Sequence, residues 1–379
     1  MFFKIKKIIT NYLSAWTNLL KIKKLDQLKK EIIFYAESRA DWIFLDPIIE
    51  SINIKRKNLN FIKITSDPND ELLNNKNVYY IGYGTPRTIL FRTIKTKGFV
   101  MTLTDLETFH LKKSIHNVHY FYVFHSMVST HRAYRENAFD AYDTILCVGK
   151  YQILEIREME KKYKLNKKNL IEHGYGRLDN LIIESKKYKK NNKKVIIAPT
   201  WGESSLIDRH LDMLINILIL NDFIVTLRLH PMTIRYKPDL PDIINKKYSK
   251  TGKFFYDFDS KNEKEIIHND IMISEWSGAA LEFAFANKRP VIFIDTKPKI
   301  NNINFQKIKL PFFEDYIRKE IGEIIAENSI NEIPKIINNL LNQNKKWSDK
   351  INKIRKENIF NIGKSGNIGA TTILDTLNI

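Results

Sequence analysis

The feature that most constrains the fold is a series of short apolar runs, separated by helical segments, that begins at residue 31. This alternation is typical of βα units whose strands form a parallel sheet. A first series of strands is predicted at residues 32–36, 60–65, 78–82, 98–103, 120–124 and 144–149. A second series is predicted at residues 194–199, 223–229, 253–257, 270–274 and 290–295. The sequence therefore predicts an α/β protein with two Rossmann-like, doubly wound parallel sheets.

A stretch rich in lysine and asparagine, "ESKKYKKNNKK" at residues 184–194, separates the two series and predicts a linker, because it lacks hydrophobic periodicity. The expected domains are residues 31–183 and 195–360, and residues 361–379 are expected to form a helix that crosses back to the first domain. A chain of 379 residues exceeds the usual size of one domain. Ligands of such sheets bind outside the carboxyl ends of the strands, so we expect the site in a cleft between the domains.

Residues 1–30 form a basic segment in which apolar side chains recur at near-helical spacing. The pattern favours a helix that lies in a membrane interface, and packing of the same stripe on the protein's own core is the alternative. No apolar run approaches the roughly 20 residues that span a bilayer, and no cleavage pattern of a signal peptide is present. A single cysteine, Cys147, excludes an internal disulfide. We therefore expect a cytoplasmic protein, peripheral on the inner face of the membrane.

The charge balance favours anionic partners. Lys and Arg number 62 against 43 Asp and Glu, which gives a formal net charge of +19. A basic RNA-binding protein is the non-enzyme alternative. RNA modules stack bases on exposed aromatic side chains, whereas the aromatic residues here lie largely within apolar strands. We therefore expect no nucleic-acid partner.

The stretch "ISEWSGAALEFAFANKRPVIF" (273–293) predicts a strand, a turn and a buried helix that begins near Gly278. Free backbone N–H groups and the positive end of the dipole make a helix start suitable for an anion. Ser277 supplies a capping hydroxyl, and Gly278 lets a phosphate approach the backbone. An ordinary βα turn with a serine cap is the alternative.

Two other strands of the second series end in polar or aromatic side chains. "LRLHP" carries Arg228 and His230, and "APTW" carries Pro199, Thr200 and Trp201, which suit a nucleotide pocket. Because parallel strands end at the same edge of a sheet, these residues predict a phosphate- and nucleotide-binding site there.

His125 follows the apolar strand at residues 120–124, where it is expected to open toward the cleft. A histidine in that place can accept a proton from a hydroxyl nucleophile near neutral pH. Other histidines lie nearby in the sequence, but their spacing matches no familiar zinc pattern, so we predict no metal site. In "EHGYGRLDNL", Arg177 is either available to an anion or paired with Asp179 in a hinge turn.

Polar turns follow other predicted strands of the first series. They either line a groove for the acceptor or cap helices, since Asp and Ser are frequent capping residues. These turns lie at residues 37–42, 66–70, 84–87 and 103–109.

The ordered motifs "FHS", "GYGRLD", "APTW", "RLHP" and "SEWSGAALEFAFANKRPVIFID" resemble the CDP-glycerol glycerophosphotransferase family of bacterial cell-surface polymer enzymes. The resemblance covers residues 118–300 and implies a GT-B fold, with a CDP-activated donor held mainly by the C-terminal domain. It also implies attack of an acceptor hydroxyl, on a polysaccharide or a lipid-linked carrier, at the β-phosphate of the donor, with release of CMP. No cofactor is implied, and a role of Mg²⁺ stays open.

The resemblance also implies residue roles. His125 matches the histidine expected to act as base, although Ser126 replaces the glycine that follows it in the family. His230 matches a second histidine, expected on the donor phosphates, and Ser277 matches a serine of the family's "TDYSS" motif. The expected donor-binding residues are Arg177, Pro199, Thr200, Trp201, Arg228, Glu275, Ser277 and Gly278.

This sequence departs from the family at "SEWSG", where Glu275, Trp276 and Gly278 stand in place of Asp, Tyr and Ser. The donor is therefore less fixed than the fold. Another alditol phosphate, or a nucleotide sugar used by a GT-B glycosyltransferase of surface polysaccharide synthesis, is the alternative.

Overall fold

A computed structural model describes residues 2–25, 30–104, 106–189, 191, 193–258 and 263–379. The chain divides into two compact units. The first contains the residues up to His125, Tyr134–Arg177 and Ile359–Ile379, and the second contains Ser126–Ala133 and Leu178–Asn358. The stretch at 184–194 falls within the second unit, and its Lys190 and Asn192 lie outside the described residues.

The secondary structure alternates between strands and helices over most of the described chain. The strands are β1 Ile32–Ala36, β2 Phe61–Thr65, β3 Val78–Tyr80, β4 Gly98–Met101, β5 His119–Val123, β6 Thr144–Cys147, β7 Asn169–Glu172, β8 Lys194–Ile197, β9 Ile224–Leu227, β10 Phe254–Tyr256, β11 Ile271–Ser274, β12 Val291–Ile294 and β13 Gly322–Ile325. The helices are α1 Phe2–Lys24, α2 Trp42–Lys55, α3 Thr85–Thr93, α4 Thr130–Ala133, α5 Lys150–Tyr163, α6 Gly176–Ser185, α7 Leu211–Leu220, α8 Pro231–Tyr236, α9 Leu240–Tyr248, α10 Glu263–Ile267, α11 Gly278–Asn287, α12 Phe313–Ile321, α13 Ile333–Asn342, α14 Asn344–Asn358 and α15 Ser365–Leu377.

Within the described residues, the first unit forms a parallel sheet in the order β3-β2-β1-β4-β5-β6-β7. Every residue of β1, β4 and β6 is buried. Burial of consecutive residues, rather than alternate ones, is expected when both faces of a parallel sheet are covered. The continuous apolar runs in the sequence have this cause.

The second unit forms a parallel sheet in the order β10-β9-β8-β11-β12-β13. The central strands β11 and β12 are fully buried, and α11 is buried from Ala280 to Ala286. The strands β8 and β11 are neighbours, so the loops that follow them emerge side by side. This neighbourhood determines the geometry of the site described below.

The C-terminal helix α15 packs on α2 of the first unit, although it follows the second unit in the sequence. Two glycines permit the close approach. A Cβ atom on Gly366 would come within 2.4 Å of the Pro47 carbonyl oxygen, and one on Gly369 within 2.8 Å of the Ile48 side chain. Larger side chains at these positions would push the two helices apart.

Helix α1 has one face packed on the first unit and another face exposed. Ala15, Leu19 and Ile22 are buried, and Asn18 Nδ2 donates to the Tyr80 carbonyl oxygen at 3.0 Å. Large apolar side chains that α1 exposes are Ile5, Ile8, Ile9, Tyr12, Leu13 and Leu20. Among the described helices, none is long and apolar enough to span a membrane. Helix α1 thus has both a face that packs on the protein, as one prediction expected, and a separate face that exposes apolar side chains. Residues 1 and 26–29 of the predicted segment lie outside the described residues.

The predicted fold class is confirmed, because two parallel α/β sheets are present. Each predicted strand is present, and most end one or two residues earlier than expected. Two strands, β7 and β13, were not predicted. Both lie at a sheet edge, and β7 has no buried residue, so its sequence carries little of the apolar signal on which the prediction depends.

Candidate functional site

The turn at residues 274–278, called here the SEWSG turn, connects β11 to α11 and hydrogen-bonds to the ends of both neighbouring strands. On the β8 side, Ser274 Oγ donates to the Ala198 carbonyl oxygen at 2.6 Å. On the β12 side, Trp276 Nε1 donates to the Thr296 carbonyl oxygen at 2.7 Å. Ser277 caps α11, where its hydroxyl accepts the Ala279 N–H at 3.3 Å, as predicted.

Glu275 lies buried under the loop that follows β8, and its side chain is fully inaccessible to solvent. Its carboxylate accepts the backbone N–H of Thr200 at 2.7 Å and that of Leu206. Burial raises the pKa of Glu275 to about 7, against the opposing effect of these two N–H donors. The structure therefore gives Glu275 a contact with the loop that carries Trp201, whereas the sequence pointed to a contact with the donor.

The side of Gly278 on which a Cβ atom would stand faces protein of the same unit, and the predicted approach of a phosphate to its backbone stays a prediction. A Cβ atom at Gly278 would lie 2.6 Å from Ser126 Oγ. The absence of a side chain at 278 therefore accommodates the segment 126–133, which belongs to the second unit. This segment is held in that unit by Ser129, whose Oγ accepts the Phe313 N–H at 2.6 Å.

Arg228, predicted to bind phosphate, forms a buried ion pair. Its Nη1 lies 2.6 Å from Asp257 Oδ2, and both residues are less than a tenth exposed. A pair of this kind neutralises the guanidinium within the protein. The structure thus shows Arg228 in a pair at the carboxyl ends of β9 and β10, and the donor role stays a prediction.

His230 caps the start of the short helix α8 and is part-buried. Its Nδ1 accepts the Met232 N–H at 3.1 Å, so the proton of the neutral ring lies on Nε2. Burial, together with the positive charge of Lys299, lowers the pKa of His230 to about 4. At neutral pH this ring is therefore an uncharged hydrogen-bond donor through Nε2.

Trp201 brings together three side chains at the end of β8. Its ring centroid lies 6.0 Å from that of His230 and 6.1 Å from that of Tyr236, and Lys299 Nζ lies 3.1 Å from the Trp201 centroid. Pro199 and Thr200, the other predicted residues of this loop, are buried. Lys299 follows β12 and was not predicted.

His125 follows β5 in the first unit and is surrounded by aromatic groups. Its ring centroid lies 6.2 Å from Phe44 and 5.5 Å from Tyr134, and its Nδ1 lies 3.3 Å from the Tyr122 hydroxyl. Burial lowers the pKa of His125 to about 4, and a hydrogen bond with the Thr102 backbone opposes that shift. The neutral ring is therefore the form present at neutral pH.

Arg177 is buried in the same unit, and its guanidinium lies over the Phe44 ring with its carbon 5.8 Å from the centroid. Phe44 also contacts His125 and Tyr175, whose hydroxyl donates to the His125 carbonyl oxygen at 3.1 Å. Arg177 and His125 thus both contact the ring of Phe44.

Polar turns of the first unit cap helical turns. Ser38 and Asp41 form a capping box, and Asp70 accepts the Leu72 N–H at 3.0 Å. The turn at 103–109 includes Asp105, which lies outside the described residues. In the described parts of the chain, no group of three or more His, Cys, Asp or Glu side chains is arranged to hold a metal ion.

The second unit therefore brings together Trp201, His230, the SEWSG turn and Lys299, while the first unit places Arg177 beside the aromatic group of His125. Sequence reasoning missed Lys299, Tyr122 and Asp257. A lysine in a lysine-rich chain gives no local signal, and the partners of Arg228 and His125 depend on strand order and on side-chain direction.

Comparison with known proteins agrees with these motifs. A family model described as CDP-glycerol:poly(glycerophosphate) glycerophosphotransferase matches residues 125–357. No curated protein sequence matches the chain.

Solved structures share the fold at low sequence identity. A structure of a variant of the wall teichoic acid polymerase TagF, soaked with CDPG, has 16% identity and a TM-score of 0.64, and covers 99% of this chain and 96% of that chain. UDP-GlcNAc 2-epimerase from Neisseria meningitidis, bound to UDP-GlcNAc, has 13% identity and a TM-score of 0.58, and covers 91% of this chain and 99% of that chain. At these identities the likeness shows the fold alone, which is of the GT-B type.

Proposed function

We propose a specific reaction for this chain, which belongs to the CDP-glycerol:poly(glycerophosphate) glycerophosphotransferase family and is therefore a transferase of that type. In the proposed reaction, glycerol phosphate or a similar alditol phosphate passes from a CDP-linked donor to a hydroxyl of a cell-surface polysaccharide or lipid-linked acceptor. The acceptor oxygen bonds to the β-phosphorus, the bond from that phosphorus to the CMP oxygen breaks, and CMP leaves.

The second unit is proposed to bind the donor. Phosphoryl transfer requires alignment and neutralisation of charge more than covalent help from the protein. His230 contributes an uncharged Nε2–H that can donate to a phosphate oxygen. Ser277 caps helix α11, and the strand that precedes it, β11, is separated from β9, the strand before His230, by β8 alone. Trp201 supplies an aromatic surface next to His230.

His125 is proposed to accept the proton of the attacking hydroxyl. One nitrogen of the neutral ring carries the proton, and the Tyr122 hydroxyl and the Thr102 backbone are its hydrogen-bonding neighbours; the other nitrogen retains the lone pair that the reaction needs. The low pKa keeps the ring neutral, so the base needs no prior deprotonation at neutral pH.

One observation carries this proposal. The family match is continuous from residue 125 to residue 357, so it begins at His125 and contains His230 and the whole SEWSG turn. The proposed base and the proposed donor contacts therefore lie within the matched region, whatever the sequence differences outside it.

The test is transfer itself. The purified chain is expected to release CMP from CDP-glycerol when an acceptor is added, and CDP and CDP-glycerol are expected to raise its melting temperature. CDP-ribitol, UDP-sugars and GDP-sugars complete the set of ligands. Stabilisation by UDP-sugars but by no cytidine nucleotide would replace this proposal with glycosyl transfer, and RNA binding without nucleotide binding would favour the non-enzyme alternative.

Helix α1 is proposed to hold the enzyme at the inner face of the membrane. It exposes apolar side chains beside lysines, and its Lys7 Nζ donates to Asn69 Oδ1 at 3.2 Å in the turn that follows β2. The ring of Tyr12 in the same helix lies 3.6 Å from the place that a Cβ atom at Gly84 would take, in the turn that precedes α3. A lipid-linked acceptor would thus meet the membrane surface beside the carboxyl-end turns of the first sheet.

Vesicle sedimentation tests this part of the proposal. Binding to vesicles that contain anionic lipid should exceed binding to neutral vesicles, and Ile8→Glu with Ile9→Glu should abolish the difference. Ile54→Glu is the matched control, because Ile54 is exposed on α2 of the same unit. Equal sedimentation of all variants would exclude α1 as the contact.

A further inference from the structure

Lys299 differs from two arginines near the strand ends of the second unit. Arg228 is paired with Asp257, and Arg318 Nη2 lies 3.2 Å from Asp295 Oδ1. For Lys299, among the residues that the structure describes, no carboxylate lies within ion-pair distance. Its half-buried ammonium contacts the Trp201 ring instead.

An ammonium that is partly removed from water loses favourable hydration, and without a carboxylate nearby no ion pair replaces it. The ring of Trp201 supplies part of the lost stabilisation through a cation–π contact. Burial nevertheless lowers the pKa of Lys299 to about 8, so the side chain remains charged at neutral pH but is poorly compensated. Such a cation favours the approach of an anion.

The neighbours of Lys299 point to the kind of anion. The charge of Lys299 acts on His230, whose Nε2–H is directed away from its own capping contact and has no partner among the described residues. A cation and a neutral N–H donor beside one indole ring match a phosphate group next to a planar base.

We propose that Lys299 binds the pyrophosphate of the nucleotide donor, and that the indole of Trp201 positions the ammonium for that contact. The inference rests on the proposed function, which it extends by one residue. Lys299 would thus supply the positive charge that the sequence suggested for Arg228.

The SEWSG turn explains how this contact is positioned. Glu275 hydrogen-bonds to the loop that carries Trp201, and Trp276 Nε1 hydrogen-bonds to Thr296, three residues before Lys299. The SEWSG turn therefore hydrogen-bonds to the loops after β8 and β12, on either side of β11. These bonds hold Trp201 and Lys299 close enough for the ammonium to contact the indole.

The experiment compares ligands that differ in phosphate content. Cytidine, CMP and CDP are titrated by calorimetry against the wild-type chain, Lys299→Met and Lys299→Ala. Loss of a charge-assisted contact should weaken CDP binding by roughly 10- to 100-fold, weaken CMP binding less, and leave cytidine binding unchanged. Lys299→Met retains the aliphatic volume over the ring and tests charge without a packing loss.

Lys297→Ala is the matched control, because Lys297 is exposed in the same loop. It should bind all three ligands as the wild type does. Equal CDP affinity in wild type and Lys299→Met would overturn the inference, and so would an equal loss for cytidine and CDP, since that would indicate a disturbed base pocket. If the wild type binds none of the three ligands, the proposed function itself fails, which is a distinguishable result.

Discussion

The two units each place a histidine after a buried parallel strand, yet the surroundings of the two rings differ. His125 lies among Phe44, Tyr134 and the Tyr122 hydroxyl, and burial alone accounts for the lowering of its pKa. His230 uses Nδ1 to cap a helix and lies near the charge of Lys299. Both pKa values are about 4.

The difference teaches that a low pKa does not by itself assign a role. A neutral imidazole is both a donor and an acceptor, so the hydrogen bond already made by one nitrogen decides what the other can do. Nδ1 of His230 accepts the Met232 N–H, so the neutral ring can only donate, through Nε2–H. Among the residues that the structure describes, no charged group shifts the pKa of His125, which suits a group that must accept a proton.

The largest effect is expected from a substitution of His125, the proposed base of the first unit. His125→Ala should lower turnover by about 10² to 10⁴, because a positioned base is lost. CDP affinity should remain unchanged, since the donor is assigned to the other unit. His116→Ala, an exposed histidine of the first unit, is the control and should transfer normally. Near-wild-type turnover of His125→Ala, measured by CMP release, would remove this residue from the mechanism.

Arg228 tests whether the second unit holds a structural cation, a functional one, or both. Arg228→Met should lower the free energy of unfolding by about 3–5 kcal/mol, because Asp257 would remain buried without its partner. Urea unfolding measures the loss, and the double variant Arg228→Met with Asp257→Leu should regain much of it. Unchanged stability with lost CDP binding would instead return Arg228 to the donor site.

His230→Asn separates the two functions of the second histidine. Asn is a good helix cap and can still accept the Met232 N–H, but it lacks Nε2–H. CDP affinity should fall by roughly 10-fold or somewhat more, because one hydrogen bond to a charged group is lost. The melting temperature should stay close to that of the wild type. A large stability loss with normal CDP affinity would make His230 a cap alone.

The pH dependence sharpens the contrast further. Because the pKa of His125 is lowered to about 4, the neutral base is present above that pH and is lost as pH falls through it. The kcat/KM should therefore fall about tenfold per pH unit below that point. Protonation of His230 in the same range leaves its Nε2–H in place. With folding checked by circular dichroism, a midpoint near about 6.5, the ordinary histidine value, would contradict the buried setting of His125.

Much of the fold was predictable because parallel strands covered on both faces must be continuously apolar. The stretch at 32–36 is the clearest case, since every residue of β1 is buried. The edge strand β7 shows the limit. It needs only one partner strand and buries none of its side chains, so its hydrophobic pattern is weak.

The site was predictable at the level of strand ends and not at the level of partners. The capping role of Ser277 follows from local chemistry, and the structure shows it. The ion pair of Arg228 depends on β9 lying beside β10, and the contact of Lys299 with Trp201 joins the loops after β12 and β8. Neither follows from local sequence, because each joins residues from separate strands.

The SEWSG turn has a consequence for how such an enzyme can change. Since Glu275 and Trp276 each fasten a different flanking loop, lengthening the turn by one residue would misplace both loops together. Side chains that the loops present are under no such restriction, because the turn bonds mainly to their backbone atoms. Substitutions of loop side chains can therefore change the preferred donor more readily than changes in the SEWSG turn can.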